Sequence, residues 1–243
     1  VTILLPVFMR EFQTNIITTQ WVVTAYILAT CIIAPVVGYL SDRISLKRAF
    51  LLALCGFFTA TLLLGLANHI YAVIALRALQ GIFGGMLMPL TQSMIYQLFP
   101  RHKQSQAISI WATTNLLAPT IAPSLAGVIS DLLSWRWIFF MEVPVLIAVL
   151  AAAIHILPAG NSQKAQHKFD MTGLLLSLTG SLCLLIAFSN ITVWGLHSAK
   201  ILLLTSVGLA SLVLFFWLEA RKAFPLLYVK VFSYEGFLSS VVL

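Results

Sequence analysis

Long hydrophobic runs separated by short polar stretches dominate the chain. A helix needs roughly 20 apolar residues to cross the hydrocarbon core of a bilayer. Runs of about this length are Thr19–Leu40, Ala49–Ala67, Tyr71–Phe99, Ile108–Ile129, Trp137–Leu157, Met171–Ile191 and Ile201–Leu218. None shows the short alternating pattern of barrel strands, and backbone groups in lipid must be hydrogen-bonded within their own segment, so each run predicts an α-helix. The pattern therefore predicts an all-α, polytopic transmembrane helix bundle.

The polar stretches divide the chain into four predicted regions. The opening run, Val1–Phe8, is about half a span long at 1.5 Å per residue, and the run that starts at Gly236 stops at Leu243. We therefore expect a truncated first helix and a fragment of a larger protein. The regions are an N-terminal bundle of six helices over 1–157, a cytoplasmic linker over 158–170, two inserted transmembrane helices over 171–218, and a cytoplasmic segment with the start of a ninth helix over 219–243.

Cations alternate between the two sides of the predicted bundle. One side carries only Arg10, Arg136 and Lys200, and the other carries ten cations, which are Arg43, Lys47, Arg48, Arg101, Lys103, Lys164, Lys168, Arg221, Lys222 and Lys230. Such an asymmetry marks the cation-rich side as cytoplasmic. It predicts a multi-pass protein of the cell membrane, embedded in the lipid bilayer.

Composition agrees with the membrane prediction. The chain is 60% hydrophobic, and its formal net charge is +7. The excess cations are spread over short loops instead of forming one basic patch, so a nucleic-acid partner is not predicted. The sequence has no metal-ligand spacing, no phosphate-binding glycine loop and no nucleophile motif. We therefore expect neither an enzyme nor a cofactor-dependent protein.

A dense charge cluster, "GYLSDRISLKRAF", separates the first two full spans. Asp42 and Arg43 follow the apolar run directly, and Lys47 and Arg48 come four to six residues later. Gly38 lies four residues before Asp42, on the same helix face, where a small residue lets a neighbouring helix approach the carboxylate. A solvated loop that only sets orientation would also explain the cations, but not the Gly/Asp pair.

A second polar group lies inside a span, in "ALRALQGIFGGMLMPLTQS". Arg77 is about 9 Å deep by helical rise, and Gln80 at i+3 shares its face. A charge at this depth normally faces a partner or a water-filled cavity. The alternative is that Arg77 extends to the interface while Gly81 and Gly85 merely pack helices.

A third intramembrane charge is Glu142, about one and a half turns into its span. A carboxylate there is costly unless it is paired, protonated or hydrated, which suits a proton-coupling or cation-binding residue. An interfacial pair with Arg136 or another outer cation is the alternative, and both readings stay open.

The run "NLLAPTIAPSLAGVI" repeats small residues and prolines every four positions. Pro119 and Pro123 each remove a backbone donor and should bend the helix, and Gly127 follows them at the same spacing. Ala118, Ala122 and Ala126 form a neighbouring stripe of small residues. We expect a helix that packs closely and flexes. Side chains that suit the lining of a cavity for mixed apolar substrates are Tyr26, Met88, Gln92, Trp111 and Asn115.

These motifs resemble those of the major facilitator superfamily. Gly38, Asp42 and the following cations match its loop signature, which implies a conformational latch formed by Gly38, Asp42, Arg43, Lys47 and Arg48. The signature's turn glycine is Ser45 here, and because serine tolerates a positive φ poorly, we expect a reshaped turn. Arg77 and Gln80 match a motif that the family associates with proton coupling. Pro119, Ala122, Pro123 and Gly127 resemble its antiporter motif, with alanines at two glycine positions.

Two further strings resemble the 14-helix drug:proton antiporter branch, the EmrB/QacA type. They are "TTQWVVTAYILA" and "SWRWIFFMEVPV", the second with Glu142 where the branch usually has asparagine. The resemblance implies proton-coupled export of drug-like hydrophobic or cationic compounds by alternating access. Its partners would be a small-molecule substrate, protons and, in a Gram-negative cell, an adaptor and outer-membrane channel. A transporter of one metabolite, such as a siderophore or amino acid, and a non-transporting sensor or assembly protein remain alternatives.

Overall fold

The computed structural model describes residues 1–158 and 170–222, and all the regular elements within them are helical. A short 3₁₀ turn, Thr2–Leu4, opens the chain. The helices are α1 (Leu5–Glu11), α2 (Ile16–Ile44), α3 (Leu46–Gly65), α4 (Ile70–Leu98), α5 (Arg101–Leu132), α6 (Arg136–Phe140), α7 (Glu142–Ile156), α8 (Met171–Ser189), α9 (Ile191–Trp194) and α10 (Ala199–Glu219). The chain divides into two compact units, Val1–Lys164 and Ala165–Leu243.

Seven helical segments among the described residues are long and apolar enough to cross a membrane, as the hydrophobic pattern predicts. They are Ile16–Ala34, Leu46–Gly65, Ile70–Leu98, Arg101–Ser130, Arg136–Ile156, Met171–Ser189 and Ala199–Glu219. Each corresponds to one predicted run, so the prediction of an all-α transmembrane bundle is confirmed. The predicted ninth-helix start and most of the linker lie outside the described residues.

Local capping explains where several of these helices begin. The side chain of Asn15 accepts a hydrogen bond from the amide of Thr18 at the start of α2, at 2.8 Å. At the start of α10, the side chain of Ser198 accepts a hydrogen bond from the amide of Lys200, at 3.3 Å. Capping oxygens satisfy amides that have no partner inside the helix.

The first unit is organised around the packing of α4 against α2 and α3. Gly81 and Gly85 lie against the backbone of α2, and a Cβ atom at Gly85 would come within 2.9 Å of the Thr30 Cα. Because glycine has no side chain, α2 and α4 approach each other closely at these two positions. The hydroxyl of Thr30 adds a hydrogen bond to the Gly81 carbonyl at 3.2 Å.

Two apolar clusters lie within this unit. One contains the start of α4 and the aromatic start of α6, and its buried members are Leu4, Phe8, Val22, Leu64, Ala67, Ile70, Val73, Trp135 and Phe139. The other lies toward the end of α4, with Val37, Ala49, Ala53, Met86 and Leu90 buried. Arg77 lies between these two clusters along α4, so apolar packing flanks its charge on both sides along the helix.

The turn between α2 and α3 consists of Ser45 alone. Its backbone has φ 73° and ψ 149°, a region that residues other than glycine rarely adopt, and the residue is buried. This is the position where the superfamily signature has glycine. Ser45 thus adopts backbone angles that favour glycine, so the serine does not prevent a positive φ at this turn.

In the second unit, α8 and α10 pack as a hairpin. Gly180 and Gly208 face each other, and a Cβ atom on either one would lie 3.2 Å from the carbonyl oxygen of the other. At one end of the hairpin, Lys222 forms ion pairs with Asp170 and with Glu219, whose side chain is fully buried. Close backbone contact and ion pairing thus hold the two helices together.

Candidate functional site

Arg77 is the centre of a buried polar network. Only 8% of the residue is exposed, so it does not extend to the surface as the interfacial alternative required. Its Nη1 donates to Gln80 Oε1, and its Nε donates to the Val22 carbonyl of α2 at 3.3 Å. The guanidinium carbon lies 4.1 Å from the centre of the Tyr26 ring.

The network continues to a third helix. Gln80 Nε2 donates to Thr61 Oγ1 of α3 at 2.8 Å, and both residues are almost completely buried. A single chain of polar contacts therefore connects α2, α4 and α3. Its members are neutral apart from Arg77, and no salt bridge reaches Arg77 from any residue that the structure describes.

Glu142 begins α7 at a depth similar to that of Arg77. Arg77 is seven residues past the start of α4, and Glu142 is six residues past the start of α6, which are rises of roughly 10 Å and 9 Å. The two side chains interact electrostatically, and Glu142 forms no salt bridge with a described residue. Glu142 is exposed at the surface of this unit. Arg77 and Glu142 therefore act on each other at similar depth without forming a salt bridge with each other.

Arg136 does not pair with Glu142. Its Nη1 binds Glu11 at the end of α1 at 3.0 Å, and its Nη2 donates to the Ala67 carbonyl at 3.2 Å. The guanidinium also covers the Trp135 ring at 4.5 Å. The alternative in which Arg136 pairs with Glu142 is therefore wrong, because Arg136 binds Glu11 of α1 and the Ala67 carbonyl just after α3.

The predicted latch residues have different environments. Lys47 is half-buried, and its ammonium donates to the carbonyls of Ile154 and Leu157 at the end of α7. Arg43 and Arg48 are exposed, whereas the side chain of Asp42 lies outside the described part of the chain. Gly38 is also exposed, and a Cβ atom there would meet no described atom within 4 Å. The expected close helix approach at Gly38 is therefore absent from the described unit.

The antiporter-like surface of α5 is largely uncovered. Pro119, Ala122 and Pro123 are exposed, and a Cβ atom at Gly127 would meet no described atom within 4 Å. Ala126 is the member of this surface that is buried. No described residue of this unit covers most of this surface, so its close packing stays a prediction. The helix itself continues through both prolines.

The five proposed cavity residues differ in exposure and contacts, and a shared lining stays a prediction. Tyr26 contacts Arg77, whereas Met88 is 52% exposed and Gln92 is exposed as well. Trp111 and Asn115 are half-buried neighbours on α5, where the Asn115 side chain donates to the Trp111 carbonyl at 2.8 Å. The structure thus joins Tyr26 to the charged network and leaves the other four apart from it.

Sequence reasoning missed Thr61 and the carbonyl of Val22. Thr61 lies in an apolar run without any local motif, and a backbone carbonyl has no sequence signal at all. Arg77 and Gln80 were found because they are three residues apart on one helix. The one signal that could have indicated Thr61 is that it is a polar residue inside an apolar run. Among the described residues, no group of three or more His, Cys, Asp or Glu side chains could hold a metal ion.

The helices and this buried charged network define a polytopic α-helical membrane protein with ionisable groups at membrane depth. The sequence profile of the Major Facilitator Superfamily matches residues 1–243. The chain therefore belongs to the Major Facilitator Superfamily, whose members are transporters.

Similar proteins include several multidrug exporters. The probable multidrug resistance protein EmrY of Escherichia coli is 32% identical over 91% of this chain and 44% of its own length. The multidrug export protein EmrB of Haemophilus influenzae is 31% identical over 89% of this chain and 43% of its own length. The tetracenomycin C resistance and export protein of Streptomyces glaucescens is 27% identical over 93% of this chain and 42% of its own length. The chain spans less than half the length of these three relatives.

Proposed function

We propose that the chain is the N-terminal part of a proton-coupled antiporter that exports drug-like hydrophobic or cationic compounds by alternating access. The observation that carries the proposal is the pair formed by buried Arg77 and accessible Glu142. Both lie at membrane depth, and they interact without a salt bridge. Intramembrane ionisable residues commonly mark ion and proton pathways.

In this proposal Glu142 is the group that gains and loses a proton. A deprotonated Glu142 is attracted by the charge of Arg77 and a protonated Glu142 is not, so gain or loss of this proton changes the interaction between the two residues. Because Arg77 is held by neutral acceptors, no described carboxylate cancels its charge by direct pairing. Protonation of Glu142 then changes the electrostatic energy of the site, which can bias the equilibrium between two conformations.

The latch and the antiporter-like helix belong to the same proposal. Arg43 and Arg48 are exposed near the turn between α2 and α3, and we assign them to the latch with Gly38, Asp42 and Lys47. We assign the exposed proline-containing surface of α5 to the antiporter-like helix. Export of drug-like compounds is our first candidate function, because the relatives include multidrug exporters. Export of a single compound is the second candidate, because one relative is a tetracenomycin C resistance and export protein.

Ethidium exchange in proteoliposomes tests the proposal with the full-length protein. With an acidic lumen, ethidium should enter the vesicles as protons leave them. Glu142→Gln should lower gradient-driven uptake by about tenfold or more, a factor equivalent to roughly 1.4 kcal/mol. Arg77→Gln should do the same because it removes the charge that acts on Glu142.

Glu11→Gln is the matched control. It changes a carboxylate that pairs with Arg136 at the end of α1, away from the Arg77 network, and it should keep the pH-gradient dependence. Gradient-independent uptake by the unaltered protein, or equal uptake by Glu142→Gln, would refute proton coupling at this site. A panel of single metabolites in place of ethidium distinguishes the second candidate.

A further inference from the structure

The hydrogen-bonding chemistry of the Arg77 network permits only one arrangement. A guanidinium has donors and no acceptor, so the end of Gln80 that faces Arg77 must be the amide oxygen. The amide nitrogen then faces α3, where Thr61 Oγ1 accepts its hydrogen bond at 2.8 Å. Thr61 is fully buried, and so no bulk water is available there to take its place.

We propose that Thr61 is a positioning residue that holds the Gln80 amide in place, by accepting its N–H, and thereby holds Arg77. The inference rests on the proposed function, in which Arg77 acts on Glu142. Without an acceptor on α3, the buried Gln80 amide N–H has no partner, which is costly, so the amide turns away to find another acceptor. Gln80 Oε1 then leaves the guanidinium, and Arg77 leaves its position over the Tyr26 ring.

The arrangement gives the buried charge a fixed place without neutralising it. Gln80, the Val22 carbonyl and the Tyr26 ring each attract a cation, and none of them carries a formal charge. A carboxylate in direct contact would bind Arg77 as strongly but would cancel its effect on Glu142. Thr61 is therefore part of the device that keeps Arg77 both immobile and charged.

Thermal unfolding of the full-length protein in detergent tests the positioning directly. Thr61→Val keeps the side-chain shape and removes the hydroxyl, and Arg77→Met removes the guanidinium. If Gln80 connects Thr61 to Arg77, the two substitutions should not be additive. The double variant should then lose less melting temperature than the two single variants together, by about 2 °C or more. In a Gln80→Leu background the two losses should add.

Matched controls separate this effect from loss of a buried hydroxyl. Thr19 is also fully buried, and its hydroxyl donates within its own helix to the Asn15 carbonyl at 2.9 Å. Thr19→Val should therefore show additive losses with Arg77→Met. Thr61→Ser keeps the acceptor and should behave like threonine. Additive losses for Thr61→Val and Arg77→Met would overturn the inference.

The pH dependence of ethidium exchange supplies a readout that a purely structural role would not move. Thr61→Val should shift the pH of half-maximal exchange by about one unit, while Thr61→Ser should leave it in place. An unchanged profile in Thr61→Val, with Glu142→Gln still inactive, overturns the role of Thr61 and leaves the proposed function intact. If the unaltered protein shows no gradient-driven exchange, the proposed function fails, and the unfolding experiment alone decides whether Thr61 positions Arg77.

Discussion

The ammonium of Lys47 donates a hydrogen bond to the carbonyl oxygen of Leu157 at 2.6 Å. It also donates to the carbonyl of Ile154 at 2.8 Å. The last carbonyls of a helix have no partner inside the helix, and a cation there also interacts favourably with the helix dipole. Lys47 therefore caps α7 and ties the start of α3 to the end of α7.

Replacing Lys47 by Gln should loosen the last turn of α7. The change removes a charged donor from two carbonyls, and hydrogen bonds to charged groups contribute about 1.5–3 kcal/mol each. Hydrogen exchange measured by mass spectrometry should become faster in peptides that cover residues 150–158. Arg48→Gln is the control, since it removes the same charge from an exposed neighbouring side chain. Equal protection in the two variants would contradict the capping role.

Ser45→Gly should stabilise the protein. A residue other than glycine with the backbone angles of Ser45 costs on the order of 1–3 kcal/mol, and glycine removes that cost. The melting temperature in detergent should therefore rise. Ser41→Gly is the matched control, because Ser41 lies in the regular part of α2, where glycine should lower stability by about 0.5–1 kcal/mol. A decrease in both variants would show that Ser45 is not strained.

Gly85→Ala should destabilise the contact between α2 and α4. The added methyl group would lie 2.7 Å from Ile33 Cγ2 and 3.0 Å from the Thr30 carbonyl oxygen, so the two helices must separate. Overpacking of this kind costs about 1–3 kcal/mol. Gly127→Ala makes the same change in α5 with no described atom within 4 Å, and there alanine should stabilise the helix by about 0.5–1 kcal/mol. Unfolding measurements that give the same sign for both variants would rule out the close packing.

The α8–α10 hairpin should lose stability at both ends of the pH range. Burial raises the pKa of Asp170, but hydrogen bonds from the Gly173 amide and from Lys222 outweigh it, so the pKa of Asp170 is lowered overall. Burial likewise lowers the pKa of Lys222, but its hydrogen bonds to Asp170 and Glu219 outweigh it, so the pKa of Lys222 is raised. The contribution of Asp170 is present above its unfolded pKa of about 3.9 and is lost as the pH falls through the folded value. The contribution of Lys222 is present below about 10.4 and is lost as the pH rises through the folded value.

Hydrogen exchange of the first turns of α8 at several pH values measures this effect. Asp170→Asn should reduce the dependence on acidic pH, because asparagine still caps α8 but does not titrate. Lys222→Gln should weaken protection near neutral pH, since it leaves Asp170 and buried Glu219 without their shared cation. Arg221→Gln is the control, because Arg221 covers the Trp217 ring, with its guanidinium carbon 3.9 Å from the ring centre. Identical exchange in all variants would contradict the ionic role of this cluster.

Much of the fold was predictable because membrane insertion imposes a local rule. Each run long enough to span the bilayer must satisfy its own backbone, so runs such as Trp137–Leu157 predict helices without knowledge of their neighbours. The interruption at Met141, between α6 and α7, was not predicted, since the apolar pattern continues through it. The packing partner of α5 was not predictable for a related reason: small residues permit close contact, but they do not specify which element supplies it.

The sequence by itself determined the transmembrane class, the seven spans and the placement of Arg77 and Gln80 on one helix face, because each depends on residues close together along one helix. Only the tertiary structure decided that Thr61 completes the Arg77 network, that Lys47 caps α7 and that Arg136 binds Glu11 instead of Glu142. These contacts join residues that are far apart in the chain. Their partners depend on how the helices pack, and a local sequence pattern does not encode that packing.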